Sequence, residues 1–152
     1  MISKYELFSN SVERISRDIQ KLERTEMAKY ALKGPHAQCL VALSRYPEGL
    51  IATQLCDLCE KDKAAISRTV AELEEAGLVQ RLESNGTRYR ASLVLTPSGK
   101  EAASAVSRKA KLAVEQAGAG LTDADREVFY RVLALIAENL HAICKDGLKE
   151  KE

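Results

Sequence analysis

Apolar residues recur along this chain with two distinct periods, and the change from one to the other sets the outline of the fold. Residues 3–33 contain neither glycine nor proline, and Tyr5, Phe8, Val12, Ile15, Ile19 and Leu22 follow each other at intervals of 3, 4, 3, 4 and 3. That is a heptad seam on one long helix. Glu13, Arg14, Arg17, Asp18, Lys21, Glu23 and Arg24 occupy the other faces. A single narrow stripe must be buried against something, either the rest of its own domain or another subunit. Gly34-Pro35 then interrupts the pattern, and proline at a first helical position favours a second helix over about 35–45, with Cys39, Leu40, Leu43 and Tyr46 inward. Pro47-Glu48-Gly49 reads as a turn, and Leu50 to Cys59 as a short third helix with Leu55, Cys56 and Cys59 inward. Asp62 is placed to cap a fourth helix that runs to Ala76 and stops at Gly77.

Beyond Gly77 the period falls to two. Leu78–Glu83 and Tyr89–Leu95 read as strands, with Tyr89, Ala91, Leu93 and Leu95 on one face and Arg90, Ser92 and Val94 on the other. Asn85-Gly86 between them is a strong hairpin signal. Thr96-Pro97 opens an alanine-rich fifth helix to about Ala117, and Gly118-Ala119-Gly120 breaks it. Thr122 caps a sixth, where Asp123 and Asp125 suit the first turn and Phe129, Val132, Leu133, Ile136, Leu140 and Ile143 form the apolar positions. Lys145 to Glu152 is mostly charged and is expected to fray.

Composition narrows the function classes. The chain has 152 residues, of which 45% are apolar and 5% aromatic, with 23 basic and 22 acidic side chains. A net charge of +1 excludes a globally basic coat for nucleic acid, so any such site must come from local segregation of charge. The longest unbroken apolar run, Val132 to Ala137, is six residues, against the roughly 20 that a membrane-spanning helix needs. Met1-Ile2-Ser3-Lys4-Tyr5-Glu6 has no apolar stretch after its lysine, so no signal peptide is expected, and the expected location is the cytoplasm.

The element order over residues 35–95 is helix, helix, helix, hairpin, which is a winged helix-turn-helix. On a wheel of residues 62–76, Ile66, Val70 and Leu73 cluster on one side and hold the helix to its domain. The opposite side shows Ala64, Ala65, Ser67, Arg68 and Ala71, whose small residues let a helix sink into a major groove. Ser67 and Arg68 then reach base edges and Lys63 a phosphate. Segment 61–90 holds six basic and five acidic residues, but Glu72, Glu74 and Glu75 sit in the later turns, where the helix leaves the duplex. Arg88 and Arg90 flank the hairpin tip and suit a minor groove or its phosphates. The alternatives are a solvated surface helix followed by an ordinary hairpin, or a winged module that holds a protein partner. No glycine-rich phosphate loop, nucleophile elbow or catalytic carboxylate pair is present, and Ser67 has no nearby histidine, so catalysis is not expected.

Lys63-Ala64-Ala65-Ile66-Ser67-Arg68-Thr69-Val70-Ala71-Glu72-Leu73-Glu74-Glu75-Ala76-Gly77-Leu78-Val79-Gln80-Arg81 resembles the recognition helix and first wing strand of the MarR-type transcriptional regulators. Leu95-Thr96-Pro97-Ser98-Gly99 is similar to that family's Leu-Thr-x-x-Gly close of the wing, and Leu121-Thr122-Asp123-Ala124-Asp125-Arg126 to the start of its last helix. The resemblance runs along nearly the whole chain. It implies a homodimer built from the first and last two helices, bound to a pseudo-palindromic operator in double-stranded DNA. It implies further that a small ligand or oxidant relieves binding, so the expected role is a ligand-responsive repressor. Three departures stand out. Where the family's wing carries Asp followed by an Arg pair, this chain reads Thr87-Arg88-Tyr89, and Ile51 stands where a Thr cap is common. Lys61 replaces a common apolar residue, and its stem is expected to lie along the core with its amine in water.

The fold class expected is mainly α with a small β-hairpin wing. Residues 1–33 form an N-terminal dimerisation helix, 34–96 the winged helix-turn-helix, 97–146 the C-terminal dimerisation helices and 147–152 a frayed tail. Tyr5, Phe8, Val12, Ile15, Ile19 and Leu22, with Phe129, Leu133, Ile136 and Leu140, are the dimerisation set. Cys56-Asp57-Leu58-Cys59 is a C-x-x-C that admits three readings: buried thiols, a thiol sensor, or half a metal site. Cys39, Cys144, His36 and His141 offer no matching second pair for a tetrahedral site, so no metal and no cofactor are expected. His36 falls in the first turn of the second helix, near the effector region that the resemblance implies, although a lone histidine at such a position is more often simply exposed.

Overall fold

A computed structural model describes residues 3–83 and 91–149. The elements in order are α1 (Lys4–Met27), α2 (Gly34–Ser44), α3 (Ala52–Cys59), α4 (Lys63–Glu75), β1 (Val79–Leu82), β2 (Ser92–Leu95), α5 (Pro97–Ala117) and α6 (Asp123–Asp146). The described part is thus mostly helical with one antiparallel strand pair, in which Val79 faces Leu95 and Leu82 faces Ser92. The chain divides into two compact units, residues 1–112 and 113–152.

The ends of the helices follow from local chemistry. Ser3 caps α1 by accepting from the Glu6 amide, while the Glu6 carboxylate accepts from the Ser3 amide, which satisfies two otherwise unpaired donors. The chain leaves α1 through a single 3₁₀ turn, Ala28–Tyr30, and reverses at Ala31 in the left-handed region. Asp62 caps α4, its carboxylate accepting from the Ala65 amide at 2.7 Å. Gly77, at φ +73°, ends that helix where a side chain would be strained. Thr122 caps α6 by accepting from the Asp125 amide.

In the first unit the core joins Met27 of α1 with Leu40 and Leu43 of α2, Leu55 of α3 and Ile66, Val70 and Leu73 of α4. Leu78, Leu93 and Leu95 cover it from the wing side, and Ala102, Ala103 and Val106 of α5 complete it. The short side chains on α5 let its backbone lie close to the strands. Gly99 marks the tightest approach, because a Cβ there would fall on the Leu78 carbonyl oxygen. Thr96 accepts from the Gly99 amide at 3.0 Å and donates to the Gly77 carbonyl at 2.6 Å. The Leu-Thr-x-x-Gly pattern is therefore a joint that fastens the last wing strand and α5 to the turn after α4.

Three expectations change. Leu50 does not begin α3. Its backbone pairs with Leu93 as an isolated bridge, through hydrogen bonds of 3.1 and 2.8 Å, and the helix starts at Ala52. The expected two-faced strand is covered on both sides at Val94, which is buried with Leu93 and Leu95, because the Gly49 backbone lies against Ser92 and Val94. His36 is buried rather than exposed. Lys61 is exposed, as expected of its amine. The turn at Asn85-Gly86 and the residues Tyr89 and Arg90 lie outside the described residues.

Candidate nucleic-acid interface

The α4 helix is anchored by one side and open on the other. Ile66, Val70 and Leu73 are buried as their spacing predicts, and Thr69 joins them at the margin of the core. Lys63, Ala64, Ser67, Arg68 and Ala71 are exposed, and Ala65 is half-buried. Positions 63, 64, 67, 68 and 71 fall on one side of a 3.6-residue helix, so the structure brings together the α4 residues expected to meet DNA. Arg88 and Arg90 lie outside the described residues.

Contacts from three directions set the orientation of this helix. At its start is the Asp62 cap. At its end the Glu74 carboxylate accepts from Nε of Arg81 on β1 at 2.7 Å. In its third turn Glu72 meets His36 of α2. The His36 Nδ1 lies 3.0 Å from the Lys33 amide nitrogen and 3.1 Å from the Lys33 carbonyl oxygen, and Nε2 lies 2.5 Å from Glu72 Oε2. The ring is 4% exposed whereas Glu72 is 55% exposed, so the histidine is a buried strut and the carboxylate is its half-solvated end. Nothing in the sequence pattern marked this pair, since 36 positions separate its members. Glu72 belongs to the set read as acids at the departing end of the helix, and it is also what ties the helix to α2.

Beside this strut an open cavity of 390 Å³ lies between α2, the end of α3 and α4, bordered by Lys33, His36, Cys39, Cys59, Arg68 and Glu72. Cys56 and Cys59 of the C-x-x-C are both half-buried against the core. Cys59 Sγ lies 3.9 Å from Cys39 Sγ, so its neighbour across the fold is the cysteine on α2. Hydrogen bonding to Cys59 together with burial pushes the Cys39 thiol up, and the Cys39 hydrogen bond and the charge of Lys61 draw Cys59 down. Burial, reinforced by Asp57 and Asp62, raises Cys56. No cluster of three or more histidine, cysteine or carboxylate side chains that could hold a metal occurs among the described residues. None of their helices is long and apolar enough to cross a membrane.

Residues 32–88 match the model of the MarR family. That match takes in α2, α3, α4 and β1. The fold likeness extends well beyond those residues. A MarR transcriptional regulator from Methanosarcina mazei Go1 superposes with a TM-score of 0.80 at 21% identity, covering 94% of each chain. The transcriptional regulator SlyA gives 0.78 at 20% identity, covering 88% of this chain and 93% of its own. A MarR family regulator from Listeria monocytogenes, complexed with a 26-mer DNA, gives 0.74 at 21% identity over 100% of both chains. No curated protein matches by sequence. At these identities the solved structures establish the fold.

Proposed function

We propose that this MarR-type protein is a homodimeric, sequence-specific DNA-binding transcriptional regulator of the cytoplasm, acting as a repressor that a small molecule relieves. The exposed face of α4 carries the reading. Its small residues Ala64 and Ala65 permit close approach to a groove floor, Ser67 and Arg68 reach base edges, and Lys63 meets phosphate, joined by Arg88 and Arg90 of the wing. A helix fixed by a cap, a strut and an ion pair is preorganised for that work, and the Listeria regulator of the same fold is complexed with DNA. The open cavity beside Glu72 and Arg68 supports the ligand response, because an occupant would touch the strut that orients α4.

Dimerisation is supported by two exposed apolar stripes. Along α1, Tyr5, Phe8, Val12, Ile15, Ile19 and Leu22 are between 39% and 76% exposed. Along α6, Phe129, Leu133 and Leu140 are exposed and Ile136 is half-buried. Burying a large apolar side chain contributes about 1.5–3 kcal/mol, so each stripe is a surface in need of a partner. The N-terminal helix and the helices over 97–146 are accordingly assigned to the dimer, 34–96 to DNA, and 147–152 to a tail. Two-fold symmetry would set two recognition helices about 34–36 Å apart, in successive major grooves of a pseudo-palindromic site. The test is a gel-shift titration of the protein on DNA upstream of its own and adjacent genes, against random DNA at moderate salt. Preferential binding of one upstream fragment is expected, and equal affinity for all fragments overturns the reading.

A further inference from the structure

Cys39 and Cys59 face one another between α2 and the last turn of α3, with their sulfurs in contact at 3.9 Å although 20 positions separate them in the chain. Their surroundings differ in the way that two steps of thiol chemistry require. Cys59 is half-buried and borders two open cavities, of 390 and 560 Å³, so a small solute reaches its sulfur. Cys39 borders the smaller of these cavities but is only 1% exposed. The Cys39 S–H and the charge of Lys61 favour a thiolate at Cys59, while Cys39 keeps its proton. These are the environments of an attacking and a resolving thiol.

Position in the fold gives the pair a lever. Cys59 is the last residue of α3, Glu60 follows in the left-handed region at φ +51°, and Asp62 caps α4. Three residues therefore separate Cys59 from the start of the recognition helix. A disulfide has its sulfurs about 2.05 Å apart, so closure draws them together by roughly 2 Å. Cys39 sits in the core beside Leu40 and Leu43, so the displacement falls on the end of α3 and on the link to α4.

We propose that Cys39 and Cys59 form a dithiol site that a hydroperoxide closes to a disulfide, and that this closure shifts α4 and weakens DNA binding. The Cys59 thiolate attacks one peroxide oxygen, the O–O bond breaks, and the other oxygen leaves with a proton as water or an alcohol. Cys59 is then a sulfenic acid. The Cys39 sulfur attacks the Cys59 sulfur, the S–O bond breaks, and the hydroxyl leaves as water with the Cys39 proton. Two electrons pass from the thiols to the peroxide. The effect on DNA rests on the function proposed above, whereas the disulfide does not.

The experiment uses the full chain carrying Cys56→Ser and Cys144→Ser, so that only this pair remains. Hydrogen peroxide should remove both free thiols, lower the intact mass by two hydrogens and yield one cross-linked Cys39–Cys59 peptide, all reversed by dithiothreitol. With Cys39→Ser added, Cys59 should instead be trapped as a sulfenic acid by dimedone. Unchanged thiols, or a Cys59 oxidised to sulfinic acid while Cys39 stays free, overturn the site. In the wild-type chain, peptide mapping that joins Cys56 to Cys59 overturns it as well. Oxidation should reduce affinity for the preferred DNA fragment within the roughly 5–150-fold range of couplings between sites. A disulfide that leaves that affinity unchanged overturns the switch. Failure of the reduced protein to prefer any fragment counts against the proposed function and leaves the disulfide result standing.

Discussion

At the scale of single residues, the proposed interface separates side chains that read bases from those that meet the backbone. Arg68→Ala should cost about 1–3 kcal/mol on the preferred site and little on random DNA, since it removes a base contact. Lys63→Ala and Arg88→Ala should weaken binding to all sequences alike and reduce the slope of log affinity against log salt by about one each. Fluorescence anisotropy at several salt concentrations separates the two outcomes. Lys63, Ala64, Ser67 and Arg68 were legible as one face because helical spacing alone brings them together. His36 was not, since its role depends on Glu72, a residue on another helix.

At the scale of elements, two joints determine how firmly the winged core is held. Glu26 of α1 is 3% exposed, with Lys29 Nζ 2.8 Å and Lys109 Nζ of α5 3.6 Å from its Oε2. The Lys29 hydrogen bond, aided by the charge of Lys109, outweighs burial and holds the Glu26 carboxyl below the usual carboxylate range. A carboxyl depressed in the folded state adds stability above its unfolded pKa and loses it as pH falls through the folded one. Acid titration of thermal stability should therefore show a decline below about pH 4.5 that is shallower in Glu26→Gln. The second joint is Gly99, where a Cβ would meet the Leu78 carbonyl. Gly99→Ala should destabilise the fold by about 1–3 kcal/mol in urea titration, as overpacking of a closed contact does. The Leu-Thr-x-x-Gly motif was visible as a pattern, but the need for its glycine was not, because that need comes from a carbonyl 21 positions earlier.

At the scale of the whole molecule, the proposed dimer rests on the exposed stripes of α1 and α6. Ile15→Asp combined with Leu140→Asp places a charge on each stripe, and burying an unpaired charge is strongly unfavourable. The double variant should run near the monomer mass of 16.7 kDa, keep the helical circular dichroism of its winged core, and lose preferential DNA binding. Light scattering on the unmodified protein should give about twice that mass at micromolar concentration. A wild-type mass near 16.7 kDa sinks the dimer and with it the paired half-sites.

The sequence by itself determined the elements, because their signals are local. Apolar spacing placed the helices, and Asp62, Thr96, Pro97 and Thr122 placed their starts. Gly77 marked the end of α4, and the change of period placed the strands. It also determined which side of α4 is anchored, since Ile66, Val70 and Leu73 share a face whatever they pack against. Tertiary structure alone decided the contacts between distant segments. Leu50 pairs with Leu93 instead of extending α3, Glu72 leans on His36, and Cys59 meets Cys39. Each of these depends on how segments distant in the chain meet in space, and no periodicity along the chain records a distance across it.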